Sequence, residues 1–149
     1  MTDAARTLLL ACSLSGVAAT TFVVMMRRHE PDSPARMIGE LRAANIAALL
    51  LAATGASTIG FTIANGGAAT AALEIALALM FVGAAGAMFF REPREALWLG
   101  ALAFLAHALL DLAHRPGGLS TDLIPRSYLI GCALYDGYLA GLCFLARQR

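Results

Sequence analysis

Two histidines and an aspartate interrupt one apolar stretch of this chain, Ala106-His107-Ala108-Leu109-Leu110-Asp111-Leu112-Ala113-His114. Their spacing of i, i+4 and i+7 puts all three on one face of a helix. Imidazole nitrogen and carboxylate oxygen both ligate zinc, and three protein ligands leave a position open for water or substrate. The metal ligands expected from sequence are therefore His107, Asp111 and His114, and the expected cofactor is a divalent metal such as zinc. Two more carboxylates lie in apolar runs, Glu74 and Asp136. These are the candidate catalytic acid/base groups. Tyr128, Cys132 and Asp136, at i, i+4 and i+8, form a second polar stripe flanked by Tyr135 and Tyr138.

The same residues carry a structural reading. His107 can bond Asp111 one turn away, and Asp136 can be protonated or bonded to a tyrosine, so that the network holds helices in register. Haem is disfavoured, because His107 and His114 stand roughly 10 Å apart on one helix and cannot both be axial ligands of one iron. No nucleophile elbow, phosphate loop or dinucleotide fingerprint is present.

The elements that carry these residues are long and apolar. Hydrophobic residues make up 59% of the 149 and charged residues 14%, about half the usual share for a soluble domain. One small core cannot hide that much apolar surface, so the surrounding solvent is lipid. Alternation of apolar and polar residues is missing, which excludes barrel strands. The expected fold is all-α, an integral membrane bundle of five transmembrane helices in a single domain spanning 1–149. The helices are expected at about 7–26, 37–64, 68–90, 96–114 and 126–146, each close to the roughly 20 residues a bilayer needs. The first run exceeds a signal-peptide core and ends in Arg27-Arg28, so it reads as a retained helix. Between the runs lie a proline-broken linker from Arg27 to Arg36, an Asn65-Gly66-Gly67 turn, the charged Arg91–Glu95 loop and an Arg115–Pro125 loop. His29 reads as a solvated residue of the first linker. Trp98 reads as an interface anchor.

In the second run, Ala44, Ala48, Ala52, Ala56, Gly60 and Ala64 recur every four positions, a ridge expected to face another helix, as is the GxxxG unit Gly137–Gly141. The cysteines Cys12, Cys132 and Cys143 lack a CxxC spacing and read as small hydrophobes. Net charge is near zero, so no nucleic-acid partner is expected. The expected partner is the bilayer itself, with a membrane protein or a second copy of the chain as a further candidate.

All cationic residues are arginine. Arg27, Arg28, Arg36, Arg42, Arg91, Arg94, Arg147 and Arg149 fall on one side of a five-span layout, and Arg6, Arg115 and Arg126 on the other. The positive-inside rule then predicts a cytoplasmic C-terminus and an outer N-terminus in a bacterial inner membrane. Counted along the helices, His107 and Glu74 lie roughly 10 Å from the outer surface, Asp136 about 15 Å in, and His114 at the surface itself. Glu40 lies on the inner side.

The phrase His107-x3-Asp111-x2-His114, followed by Pro125-x2-Tyr128-x3-Cys132-x3-Asp136, resembles the C-terminal part of a family of small bacterial polytopic membrane proteins of unknown function. The similarity covers about the last third of the chain. Leu110 stands where the pattern has an aromatic residue, and Arg115 where it has a second histidine. The resemblance implies a multi-pass layout and no activity.

Three readings follow: a metal- or proton-dependent activity on a lipid-soluble molecule, centred between the third, fourth and fifth helices; a non-enzymatic accessory subunit docked through its alanine ridges; and a small transporter relaying a proton or cation through Glu74 and Asp136.

Overall fold

The structure, a computed structural model, describes residues 3–65, 68–114, 119 and 124–148. Among the described residues the chain forms five helices: α1 (Asp3–Arg27), α2 (Pro34–Asn65), α3 (Ala68–Met88), α4 (Pro93–Ala113) and α5 (Arg126–Arg147). Each is long and apolar enough to cross a membrane. Large apolar side chains point outward all round, among them Leu14, Leu49, Met80, Leu109 and Leu134. In water such a surface would aggregate; in a bilayer it is the solvated face. The protein is a multi-pass, all-α membrane bundle.

Three helix starts lie earlier than the sequence suggests, the first being α1 at Asp3. α2 begins at Pro34, where the missing proline N–H costs nothing, and Ser33 caps it by accepting the Arg36 backbone N–H at 3.3 Å. α4 likewise begins at Pro93. The glycines of the Asn65-Gly66-Gly67 turn and most of the Arg115–Pro125 loop lie outside the described residues.

The helices alternate in direction. Side-chain contacts fix which ends meet. At one end the starts of α2 and α4 join the end of α5 through Arg36, Glu40 and Arg94. At the other, the end of α4 meets the start of α3 through His114 and Glu74, and Phe61 of α2 packs tilted against Tyr128 of α5 at 4.6 Å. α4 and α5 share the largest interface, α2 packs against both, and α1 leans on α5 and α2 at the edge.

The buried stripe of α2 is Ala44, Ala48, Leu51, Gly55, Thr58 and Thr62, while Ala56, Gly60 and Ala64 are exposed. The expected four-residue ridge is corrected here: Ala52 is partly buried against the core, but Ala56 is not at a helix interface. A period of four drifts around a 3.6-residue helix, whereas the observed 4-3-4-3 spacing keeps one seam against its neighbours. Gly55 marks the closest approach. A Cβ there would lie 3.0 Å from both the Ala78 carbonyl oxygen and Val82 Cγ2 of α3. Gly137 and Gly141, by contrast, are exposed with nothing within 4 Å of an added Cβ, so these two glycines bring no other helix close inside the chain. The three cysteines are free.

Candidate functional site

The core stripe of α4 runs Leu97, Phe104 and Asp111 at seven-residue steps, with Gly100 and His107 between them. That of α5 runs Leu129, Asp136 and Cys143. Ionisable groups thus occupy positions where the heptad pattern calls for apolar ones, and the α4–α5 contact drives them together. His107, Asp111 and Asp136 are 2%, 5% and 0% exposed.

His107 Nδ1 lies 2.7 Å from Asp136 Oδ2, a short charge-assisted hydrogen bond between α4 and α5. The same nitrogen lies 3.5 Å from Asp111 Oδ2. That is within ion-pair reach, yet Asp111 Oδ2 makes no hydrogen bond, and neither does Asp136 Oδ1. Phe81 of α3 closes the third side, its ring set edge-on to the imidazole at 4.7 Å. One ligand atom from each of the three residues falls within a 4.8 Å span. Donors around one tetrahedral zinc stand about 3.3 Å apart, so small side-chain shifts make the set a coordination triangle.

Charge points the same way. Two carboxylates face one imidazole, so even a doubly protonated ring leaves excess negative charge in a medium that penalises it by several kcal/mol, roughly, per unpaired ion. A divalent cation with two carboxylates and a neutral imidazole is charge-balanced. An added proton is the other remedy.

His114 stands apart from this group. Its Nε2 lies 3.1 Å from Glu74 Oε2 on α3, and its Nδ1 lies 2.9 Å from the Leu110 carbonyl oxygen. The expected ligand set His107, Asp111 and His114 is thereby divided, and Glu74 pairs with His114 rather than joining His107. The reason is local. His114 is the C-cap residue, with φ −73° and ψ 84°, so the helical repeat no longer aims its side chain. It is buried rather than at the surface, because the Leu119 backbone N–H folds back onto the Ala113 carbonyl oxygen at 3.1 Å. Asp136, expected as an acid/base, sits instead among the prospective ligands. Tyr135 and Tyr138 turn from the cluster to tie α1: Tyr135 shares a hydrogen bond with Ser15 at 2.7 Å, and the Tyr138 hydroxyl donates to the Gly16 carbonyl oxygen at 2.9 Å.

No family model, curated protein or solved structure matches the chain.

Sequence reasoning overlooked a second buried cluster at the opposite end. Arg36 and Glu40, each 3% exposed, form an ion pair at 2.9 Å. Arg94 Nε donates to the other Glu40 oxygen at 2.9 Å. Arg36 Nη2 donates to the carbonyl oxygens of Ala146 and Gln148 at 3.0 and 2.9 Å, locking the end of α5. The signal was the i, i+4 spacing of Arg36 and Glu40.

Proposed function

We propose that this chain is a multi-pass protein of the bacterial cytoplasmic membrane, akin to the small polytopic proteins its C-terminal phrase resembles, that holds one divalent cation within the bundle and uses it on a lipid-soluble molecule. His107, Asp111 and Asp136 are the ligands, and zinc fits their chemistry. The observation that carries this reading is the pair of buried carboxylate oxygens, Asp111 Oδ2 and Asp136 Oδ1, left without partners around one imidazole nitrogen. An unpartnered buried acceptor costs about 1–3 kcal/mol, more when charged, unless something binds it. On binding, the cation takes the place of the Nδ1 proton, which leaves or moves to Nε2. Three protein ligands leave one position for water or a substrate oxygen. Glu74 and His114, one turn beyond Asp111, form the pair that would pass a proton toward that end of the bundle.

Closure of the site favours a second reading, in which the trio only clasps α4 to α5 in an accessory subunit. Cobalt(II) titration of metal-free protein separates the two. The cation reading predicts a saturable visible absorption that is missing in His107→Ala, while the helices still form. No absorption and no heat of binding would leave the clasp.

We also infer that the arginine-rich end lies in the cytoplasm, from the arginine asymmetry. A reporter active only in the periplasm, fused after Arg149, should be silent; activity would reverse the orientation.

A further inference from the structure

We propose that the corner between the α3–α4 loop and the end of α5 binds the headgroup of an anionic phospholipid from the surrounding bilayer. The inference is independent of any metal. A recess of about 380 Å³ lies there, lined by Arg91, Arg94 and Arg147 against a single carboxylate, Glu95. The three guanidiniums differ in how far they are already engaged. Arg94 is held by Glu40. Arg91 has, among the described residues, only Glu95, at 3.8 Å with both side chains mostly exposed, a pair that water screens to little value. The guanidinium carbon of Arg147 sits over the Trp98 ring, 4.8 Å from its centroid, with no acidic partner among the described residues. A ring covers one side of a guanidinium and leaves N–H groups on the other for a phosphate oxygen. Phe144 of α5 packs tilted against the same ring at 6.1 Å.

The apolar half of the ligand is written on the same helix. From Trp98 the exposed side chains Leu102, Leu105 and Leu109 follow at four, seven and eleven residues along α4, one continuous stripe leading from the recess toward the bilayer interior. A soluble anion would satisfy the arginines alone. A molecule with negative charge at one end and long hydrocarbon chains at the other matches both the arginines and the stripe. Tryptophan at this level is also where membrane proteins meet headgroups.

Trp98 is the only tryptophan in the chain, so the pocket reports on itself. The full-length protein is reconstituted in phosphatidylcholine vesicles containing brominated phosphatidylglycerol or, at the same mole fraction, brominated phosphatidylcholine. The expected result is severalfold stronger quenching of Trp98 by the brominated phosphatidylglycerol. In an Arg91→Gln, Arg147→Gln double variant that severalfold difference should collapse to near equality, since each arginine near an anionic surface contributes about fivefold. Both side chains are exposed, and Arg27→Gln, exposed on α1, should keep the preference. Equal quenching by the two lipids in the unaltered protein overturns the proposal, and that comparison needs no variant to fold. So does a preference that survives the double substitution. Loss of the preference on adding inorganic phosphate, but not sodium chloride of equal ionic strength, would assign the recess to a soluble anion and overturn the lipid.

Discussion

At one end of the bundle the Glu40 carboxylate has both oxygens bonded by guanidinium groups from α2 and α4. At the other, the carboxylates of Asp111 and Asp136 share one ring nitrogen and keep an unbonded oxygen each. Burial is nearly the same. What differs is the supply of donors, and with it the consequence of burying charge. A buried ion pair whose lone pairs are all used fixes geometry and is costly to break. A buried pair of carboxylates short of donors stores a demand that a cation or proton can meet. The arginine end reads as a lock, the histidine end as a site.

That contrast can be broken by substitution. Glu40→Gln should be the most damaging change, because it strands Arg36 in the bundle without its counter-charge. The expected loss is about 3–5 kcal/mol in detergent unfolding, unchanged by chelators. A loss under about 1 kcal/mol would mean that the arginine end is no lock.

Asp111→Asn should behave oppositely. In metal-free protein it relieves surplus negative charge and leaves stability unchanged or raised. What it should remove is the added stability that the unaltered protein gains from zinc, about 2.7 kcal/mol at a hundredfold excess over Kd. Equal destabilisation of metal-free protein by Asp111→Asn and Glu40→Gln would erase the difference between the ends.

Packing along α2 repeats the contrast. Ala48, fully buried toward the arginine end, should tolerate leucine poorly, at about 1–3 kcal/mol. Ala56, exposed toward the histidine end, should accept it within about 0.5 kcal/mol. Thermal melts of the two variants compare them directly. A modest effect should come from Glu74→Gln, which weakens the His114 hydrogen bond by about 1 kcal/mol and leaves metal affinity intact. Metal lost along with Glu74 would bring that residue into the site.

The sequence displays the five helices plainly, because lipid demands long apolar runs and tolerates few alternatives. Depth counting along those runs also sets Asp136 within about 5 Å of the level of His107 on the adjacent helix. Depth says nothing about rotation around a helix axis. Glu74 matches His107 in depth yet faces His114, and His114 leaves the helical repeat at its cap. The alanine ridge failed for a related reason, a period of four mistaken for the 3.5 that keeps a seam in contact. Arg36 was legible as a flanking charge but not as a buried one. Its burial depends on the end of α5 folding back to offer two carbonyl oxygens, which no local pattern announces.

Elemental analysis of the full-length protein, purified without a metal-chelating tag and set beside Asp136→Asn, tests the central claim most directly. The account predicts close to one divalent metal ion per chain in the unaltered protein and a near-complete loss in the variant, with helix content preserved in both. A well-folded unaltered protein that stays metal-free after incubation with excess zinc would contradict it.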